Sequence, residues 1–501
     1  MPSTHQIAFE HPHYQRMLPQ WRKALHVWNG LRDQDVKCLY LPKAAGEMPN
    51  GIYDPYLERI RLTEFDNKFK PALQSHAGLL SDFSLLKNTP EAIAQHARNI
   101  DNKGHSLKVF LKACDEIAMR DLATVLIVDM PKVENIRSEA ERRAIAPRPY
   151  VVRYPLRNCI NWEFEESNGV EMLTRLVIKR ARYRQGQNYL EYLEYRPGQV
   201  TVYKSLLDKT GRATGEMMGE GDTSVILDAT GKQLSEILFV WYPAVSIDPF
   251  AYAQEDDAIG SGGVFAELPF ASLLDLNIKY LRKENEKDHV MFKCNLPQPV
   301  MKDPSQVPNV SGGNALTISP NQVINLFHPQ ADYYYAEPKG TALSQTMQDL
   351  QTLKDDMDKA AESFLTGGET FQTATRSLLD NAQSKSSLRG MIELKEMAVR
   401  RLFSHWIKLT YRDYAAKIAN DEIGGIEISD SVLDLPQPIS VRDLIDLKTE
   451  GSLTDQELRN QLKYSGRLYE EFDPEKPATM PGMEGRAIAP LPDNTNLEVI
   501  S

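Results

Sequence analysis

The residues best placed to do chemistry in this chain are few. The run ATVLIVD ends in Asp129, a carboxylate at the tip of an apolar strand, with Lys132 and Glu134 close behind. A metal-dependent nuclease needs two or more carboxylates on one Mg²⁺. A single strand-end Asp ahead of a proline more often caps local backbone in a turn. His11 and His13 are the only close pair among ten histidines. They flank a proline in a polar terminal segment, which argues against a metal site. Gly231 and Lys232 lack the upstream glycine of a phosphate-binding loop, and Gln233 stands where Ser or Thr is needed. HExxH and GxSxG are absent as well. The expectation is a non-enzyme with no catalytic residue, no metal and no cofactor. The alternative is a metal-dependent nuclease or other hydrolase using Asp129.

The elements around these residues predict an α+β fold. Tyr14–Leu31, Ala72–Asn88 and His105–Arg120 carry apolar residues at helical spacing, and Pro90–Glu91 read as a helix start. Ala123–Pro131 is a buried strand by its β-branched run. The charged stretch Glu134–Arg148 is a surface helix or loop. Strand patterns recur in YVVRYP, TRLVIKRARYR, LEYLEYRPGQVTVYK and ILFVWYP, with Arg196–Gln199 as a turn. These form a mostly antiparallel sheet. Asp208–Asp222 is a loop or hairpin tip, and Asp256–Gly263 a flexible connection. A helix over Pro269–Phe292 is apolar in its first half and reads RKENEKDH in its second. Residues 295–338 return to short strands and turns.

Two long helical patterns follow, Thr341–Leu365 and Ser377–Ile418, separated by TGGETFQTATR. The first places Leu343, Met347, Leu350, Leu353 or Lys354, Met357, Ala361 and Phe364 in one stripe, which packs within a subunit or between subunits. The second aligns Leu388, Met391, Ile392, Ala398, Leu402, Phe403, Trp406 and Leu409. Gly367–Gly368 can end the first helix, and Thr375 or Ser377 can cap the second. The break carries one charge, Glu369, before Arg376. Such a polar loop suits a surface that faces nucleic acid without holding it. After Gly424, short helices are expected at Ser440–Thr449 and Thr454–Tyr464, then a loosely ordered Pro-rich end.

The chain has 501 residues, enough for two to four domains, with 42% hydrophobic and 25% charged residues. Its net charge of −11 argues against tight phosphate binding but allows nucleic acid to slide past. Cys38, Cys114, Cys159 and Cys294 form no CxxC, so reduced thiols in a cytoplasm-like compartment are expected. No signal peptide or membrane-spanning run is expected.

In the order of its parts the chain resembles the portal (head-to-tail connector) proteins of tailed bacteriophages. The segments YLPKAAGE, PYLERIRLTEFDN, ATVLIVDMP and RPYVVRYPLRNCINW resemble one portal subgroup. The resemblance implies a portal-like fold: an α/β wing (residues 1–265), a first stem helix (266–294), a small strand-rich clip (295–340) and a second stem helix (341–365). A tunnel loop (366–376), a long wing or crown helix (377–423) and a crown or wing extension (424–501) complete it. The implied function is a ring of twelve copies at one capsid vertex, through which double-stranded DNA is packaged and ejected. The clip would dock terminase and then a head-tail adaptor. Major capsid and scaffolding proteins would be further partners, with no membrane. The protein would be made in the host cytoplasm and reside in the virion. The DNA-facing loop would be Gly367, Gly368, Glu369, Thr370, Phe371, Gln372 and Thr373. Arg282, Lys283, Glu284, Glu286 and Lys287 would line the stem interface between subunits.

Overall fold

The computed structural model describes residues 7–43, 47, 49, 54–131, 148–167, 169–184, 186–207, 213–217, 221–245, 268–295, 298–302, 330, 332–336, 341–362 and 374–428. The chain divides into Met1–Leu433 and Asp434–Ser501, and everything described belongs to the first unit. It is a mixed helix-and-sheet protein.

The N-terminal part is helical: α1 (Pro12–Trp28), α2 (Gln34–Tyr40), α3 (Pro55–Leu62), α4 (Phe69–Leu79), α5 (Glu91–His96) and α6 (Leu107–Asp121). Local chemistry sets their starts. The His11 ring accepts from the His13 amide at 3.2 Å with Pro12 in the first turn, and Ser106 caps Val109 at 3.4 Å. The His11 ring also stacks on Trp162 at 4.2 Å. Burial and the neighbouring His13 hold it down at about 4. The histidine pair is therefore a helix cap packed on a strand.

Strand β1 (Phe83–Leu85) lies between α4 and α5. The expected helix over Ala72–Asn88 thus ends at Leu79. Residues 83–85 instead pair with β13 (Ile426–Ile428), a partner that local periodicity could not announce.

Strand β2 (Ala123–Asp129) follows α6 and is the centre of a three-stranded antiparallel sheet. Its neighbours are β3 (Tyr150–Pro155) and β10 (Phe239–Pro243). Residues 123–128 are all buried, as a strand covered on both faces requires.

A larger antiparallel sheet runs in the order β4 (Cys159–Ser167), β5 (Val170–Arg184), β6 (Gln187–Arg196), β7 (Gln199–Leu207), β8 (Ala213–Met217). Strand β9 (Asp222–Val225) pairs with β7. Strands thus occupy part of the predicted 208–222 loop. At the β6–β7 turn Gly198 has φ +65, and a Cβ there would sit 2.3 Å from the Leu234 carbonyl oxygen. Only glycine fits. Opposite charges ladder the sheet face, with Arg180 on Glu191 at 2.6 Å and Arg175 on Glu194 at 2.7 Å.

The C-terminal half holds α7 (Ala271–Asn295), the antiparallel pair β11 (Gln298–Lys302) and β12 (Asp332–Ala336), then α8 (Thr341–Glu362) and α9 (Ala374–Thr410). The short α10 (Tyr414–Ala419) and β13 complete the described chain. The predicted helix over 377–418 is broken at Tyr411–Asp413. There the Thr410 hydroxyl bonds back to the Trp406 carbonyl at 2.9 Å, which loosens the last turn. The predicted elements over 134–147, 256–263, 303–329 and 429–501 lie outside the described residues. One apolar core runs from α1 through both sheets to α7, α8 and α9.

Candidate functional site

Helix α7 is built to hold two neighbours at once. Its apolar half buries Leu273, Leu274, Ile278 and Leu281. Asn277, Leu281 and Asn285 recur every fourth residue and so share one face. Asn277 is fully buried and works as a clasp. It donates to the Asp66 carbonyl at 2.7 Å and accepts from the Lys68 and Phe69 amides at 3.1 and 3.3 Å. In doing so it supplies the N-terminal cap that Lys68, at the start of α4, cannot. Asn285 donates to the Thr63 hydroxyl at 2.6 Å and accepts from Arg59.

Arg59 extends this tie. Its guanidinium grips Glu47 through two bonds, of 2.5 and 2.8 Å, and reaches the Pro42 carbonyl at 2.8 Å. The segments YLPKAAGE and PYLERIRLTEFDN thus have a mechanical role. They form an α2–α3 lobe clamped to α7 through Arg59, Glu47 and Asn285. The lobe has a small core of its own, Leu31, Leu41, Tyr56 and Ile60, closed by Leu281 of α7. Lys37 fastens the end of α3 by donating to the Thr63 carbonyl at 2.5 Å.

Helix α8 packs on α7 in the opposite sense. Lys283 pairs with Asp349 at 3.6 Å. Asp358 reaches Lys68, the residue clasped by Asn277, at 3.4 Å. Later residues of α8 therefore meet earlier parts of α7. Leu350, Leu353 and Met357 are buried, so the apolar stripe packs within the chain and Leu353, not Lys354, is its member. Met347 at the near end of the stripe stays exposed.

The residues expected to line a subunit interface have partners inside this chain. Arg282 donates to the Tyr40 carbonyl at 2.9 Å. Lys283 holds Asp349. Glu284 accepts from the Tyr280 hydroxyl at 3.3 Å and faces Lys287 at 3.7 Å, and Lys287 also reaches Asp288 at 3.3 Å. Burial and the Glu284 carboxylate push the Tyr280 hydroxyl up to about 12. Exposed Arg282 and Glu286 line a cavity of about 260 Å³ with Leu41, Pro42, Lys43, Arg59 and Asn285.

Helix α9 is fixed to the body by a buried charge cluster. Lys395 sits in the apolar stripe between Ile392 and Val399 and is 2% exposed. It donates to Asp115 of α6 and to the Leu80 carbonyl, each at 2.7 Å. The Tyr242 hydroxyl of β10 donates to the other Asp115 oxygen. Burial raises the Asp115 carboxyl, and the Lys395 ammonium opposes the rise. Further along α9, Phe403, Trp406 and Ile407 are fully buried. His405 shares a proton with the Phe239 carbonyl at 3.1 Å. Burial first, then the Lys408 charge, hold His405 down at about 4. The Lys408 carbonyl accepts from the Ala229 amide at 3.0 Å.

The expected DNA-facing residues Gly367, Gly368, Glu369, Thr370, Phe371, Gln372 and Thr373 lie outside the described residues, between α8 and α9. Asp129 accepts from the Met130 amide at 2.8 Å and the Tyr150 hydroxyl at 3.1 Å, which is a strand-end capping geometry. Lys132 and Glu134 are outside the described residues. Among the described residues no group of three or more His, Cys, Asp or Glu is placed to hold a metal ion. No described helix is long and apolar enough to cross a membrane. Cys38, Cys114 and Cys159 carry free thiols, and burial pushes the Cys114 and Cys159 thiols up, away from reactivity.

Sequence reasoning missed Asp115, Tyr242 and Lys395, and the Arg59 clamp. Lys395 had a signal: a lysine at a stripe position must either reach solvent or find a buried partner. Its carboxylate lies on a helix far upstream, which no local pattern identifies.

The family described as a domain of unknown function, DUF4055, matches residues 269–408. The match opens at the turn before α7 and closes near the end of α9. No curated protein matches the chain.

Proposed function

We propose that the chain is a portal protein, the subunit of a ring-forming channel at one capsid vertex through which genomic DNA enters and leaves. One observation carries this reading. Helices α7 and α8 form an antiparallel hairpin whose long connection contains the β11–β12 pair, and the 37-residue α9 follows α8 after a glycine-containing break. That is the order stem helix, clip, stem helix, tunnel loop and long helix. The DUF4055 match spans the same unit, so the hairpin and α9 form a sequence block of their own.

The physical design suits the role. A conduit needs rods anchored firmly enough to frame a channel, not a reactive centre. The Asn277 clasp anchors α7, and the Lys395–Asp115 pair anchors α9. A net charge of −11 disfavours sticking by a polyanion in transit. Terminase and the adaptor would dock at the β11–β12 end, and capsid and scaffolding proteins would meet the body. Electron micrographs of the purified chain test the reading. Annular particles with a central channel are expected, and uniformly compact single-chain particles would contradict it.

A further inference from the structure

We infer that the α2–α3 lobe of one copy docks on the outer face of α8 of a second copy of this chain. This rests on the ring reading and names the surfaces that build the ring.

The lobe is not a simple extension of the main core. It has a separate small core and is clamped to α7 by Arg59, Glu47 and Asn285. Yet its two short helices leave Leu39, Leu57 and Leu62 exposed, at 69%, 43% and 64%. Single exposed leucines are ordinary, but three on one small clamped lobe are not. Beside them the cavity of about 260 Å³ has an apolar floor, Leu41 and Pro42, and exposed Lys43 and Arg282 at its mouth.

The outer face of α8 has the complementary character. Met347 is 56% exposed, among exposed Gln345, Gln348, Asp349, Gln351 and Asp355. The lobe offers apolar groups with a cationic margin, and α8 offers an apolar group with an anionic margin.

Geometry decides that the two belong to different copies. On α7 the lobe is held by Leu281 and Asn285, whereas α8 is held by Lys283. At about 100° per residue, Lys283 points about 160° away from Leu281. The lobe and α8 therefore flank α7 on opposite sides and cannot meet within one chain. Two unlike, complementary surfaces on opposite sides of a subunit bind head to tail, and such contacts form a ring when the rotation closes.

The test uses two full-length variants and native mass measurement. Leu39→Glu with Leu62→Glu disables the lobe. Met347→Lys with Asp355→Lys disables α8. All four side chains are exposed, so circular dichroism and melting should match the wild type. Each variant alone is expected to lose ring formation. Mixed one to one, they keep one good lobe and one good α8 face. The expected product is a heterodimer that grows no further. Rings from either variant alone, or a mixture without dimers, overturn the docking assignment while the wild-type ring stands. A wild type that stays monomeric overturns the ring reading itself.

Discussion

Removing Lys395 gives the sharpest energetic prediction. Lys395→Met keeps the apolar stem but deletes the ammonium, leaving Asp115 fully buried with the Tyr242 hydroxyl as its remaining partner in the cluster. A buried carboxylate without its counter-charge escapes by taking up a proton. For a group of reference value ~3.9, carrying that proton at pH 7 costs ~4 kcal/mol, at ~1.4 kcal/mol per pH unit. Broken buried pairs fall in the same range, ~3–5 kcal/mol. The sign follows from proton counts. In the variant the folded state binds a proton that the unfolded state, above pH 4, does not. Stability relative to wild type therefore rises as pH falls, and the deficit should shrink to ~1.5 kcal/mol at pH 5. Urea unfolding followed by tryptophan fluorescence reads this, since Trp406 lies on the same helix, fully buried. Adding Asp115→Asn should restore most of the loss and remove its pH dependence. A deficit below ~1 kcal/mol at pH 7, or one equal at pH 5 and pH 7, would refute the claim that this pair anchors α9.

Other perturbations probe the remaining anchors. Arg59→Lys cannot reproduce the two bonds to Glu47 together with those to Pro42 and Asn285, so the lobe should loosen by ~2–4 kcal/mol. Limited proteolysis within residues 31–63 should accelerate while the rest of the chain resists. His405 is held neutral at about 4 in the fold against a reference of ~6.5, so its stabilisation is complete above pH 6.5 and is lost as pH falls toward 4. Acid titration of unfolding should show a loss of up to ~3 kcal/mol over that window, flattened in His405→Gln. Deleting Glu369–Gln372 should leave assembly intact and impair packaging or retention of DNA. Loss of ring formation would instead make the break an assembly element.

Local chemistry made much of the fold legible. The run Ala123–Val128 was readable because a strand buried on both faces has no polar alternation to confuse it. Helix α6 was readable from Ser106 and the spacing of Leu107, Phe110, Leu111 and Cys114. Where the sequence misled, a distant partner decided. Residues 83–85 have helical neighbours but pair with Ile426–Ile428. The end of α9 at Thr410 depends on a hydroxyl bonding back to Trp406, not on a proline or glycine. The stem illustrates the same limit. The charged run from Arg282 reads as an exposed surface, but a pattern of charges does not say which side of α7 meets Tyr40 and which meets Asp349. Asn277 and Asn285 were invisible as clasps because an asparagine in a helix has no signature until the backbone amides it caps are known.

The central claim is assembly, and native mass spectrometry of the purified full-length chain tests it most directly. The account predicts one closed oligomer of defined copy number, twelve by the portal resemblance, with no ladder of intermediate masses at micromolar concentration. A chain that remains monomeric across protein concentrations and salt conditions would contradict it.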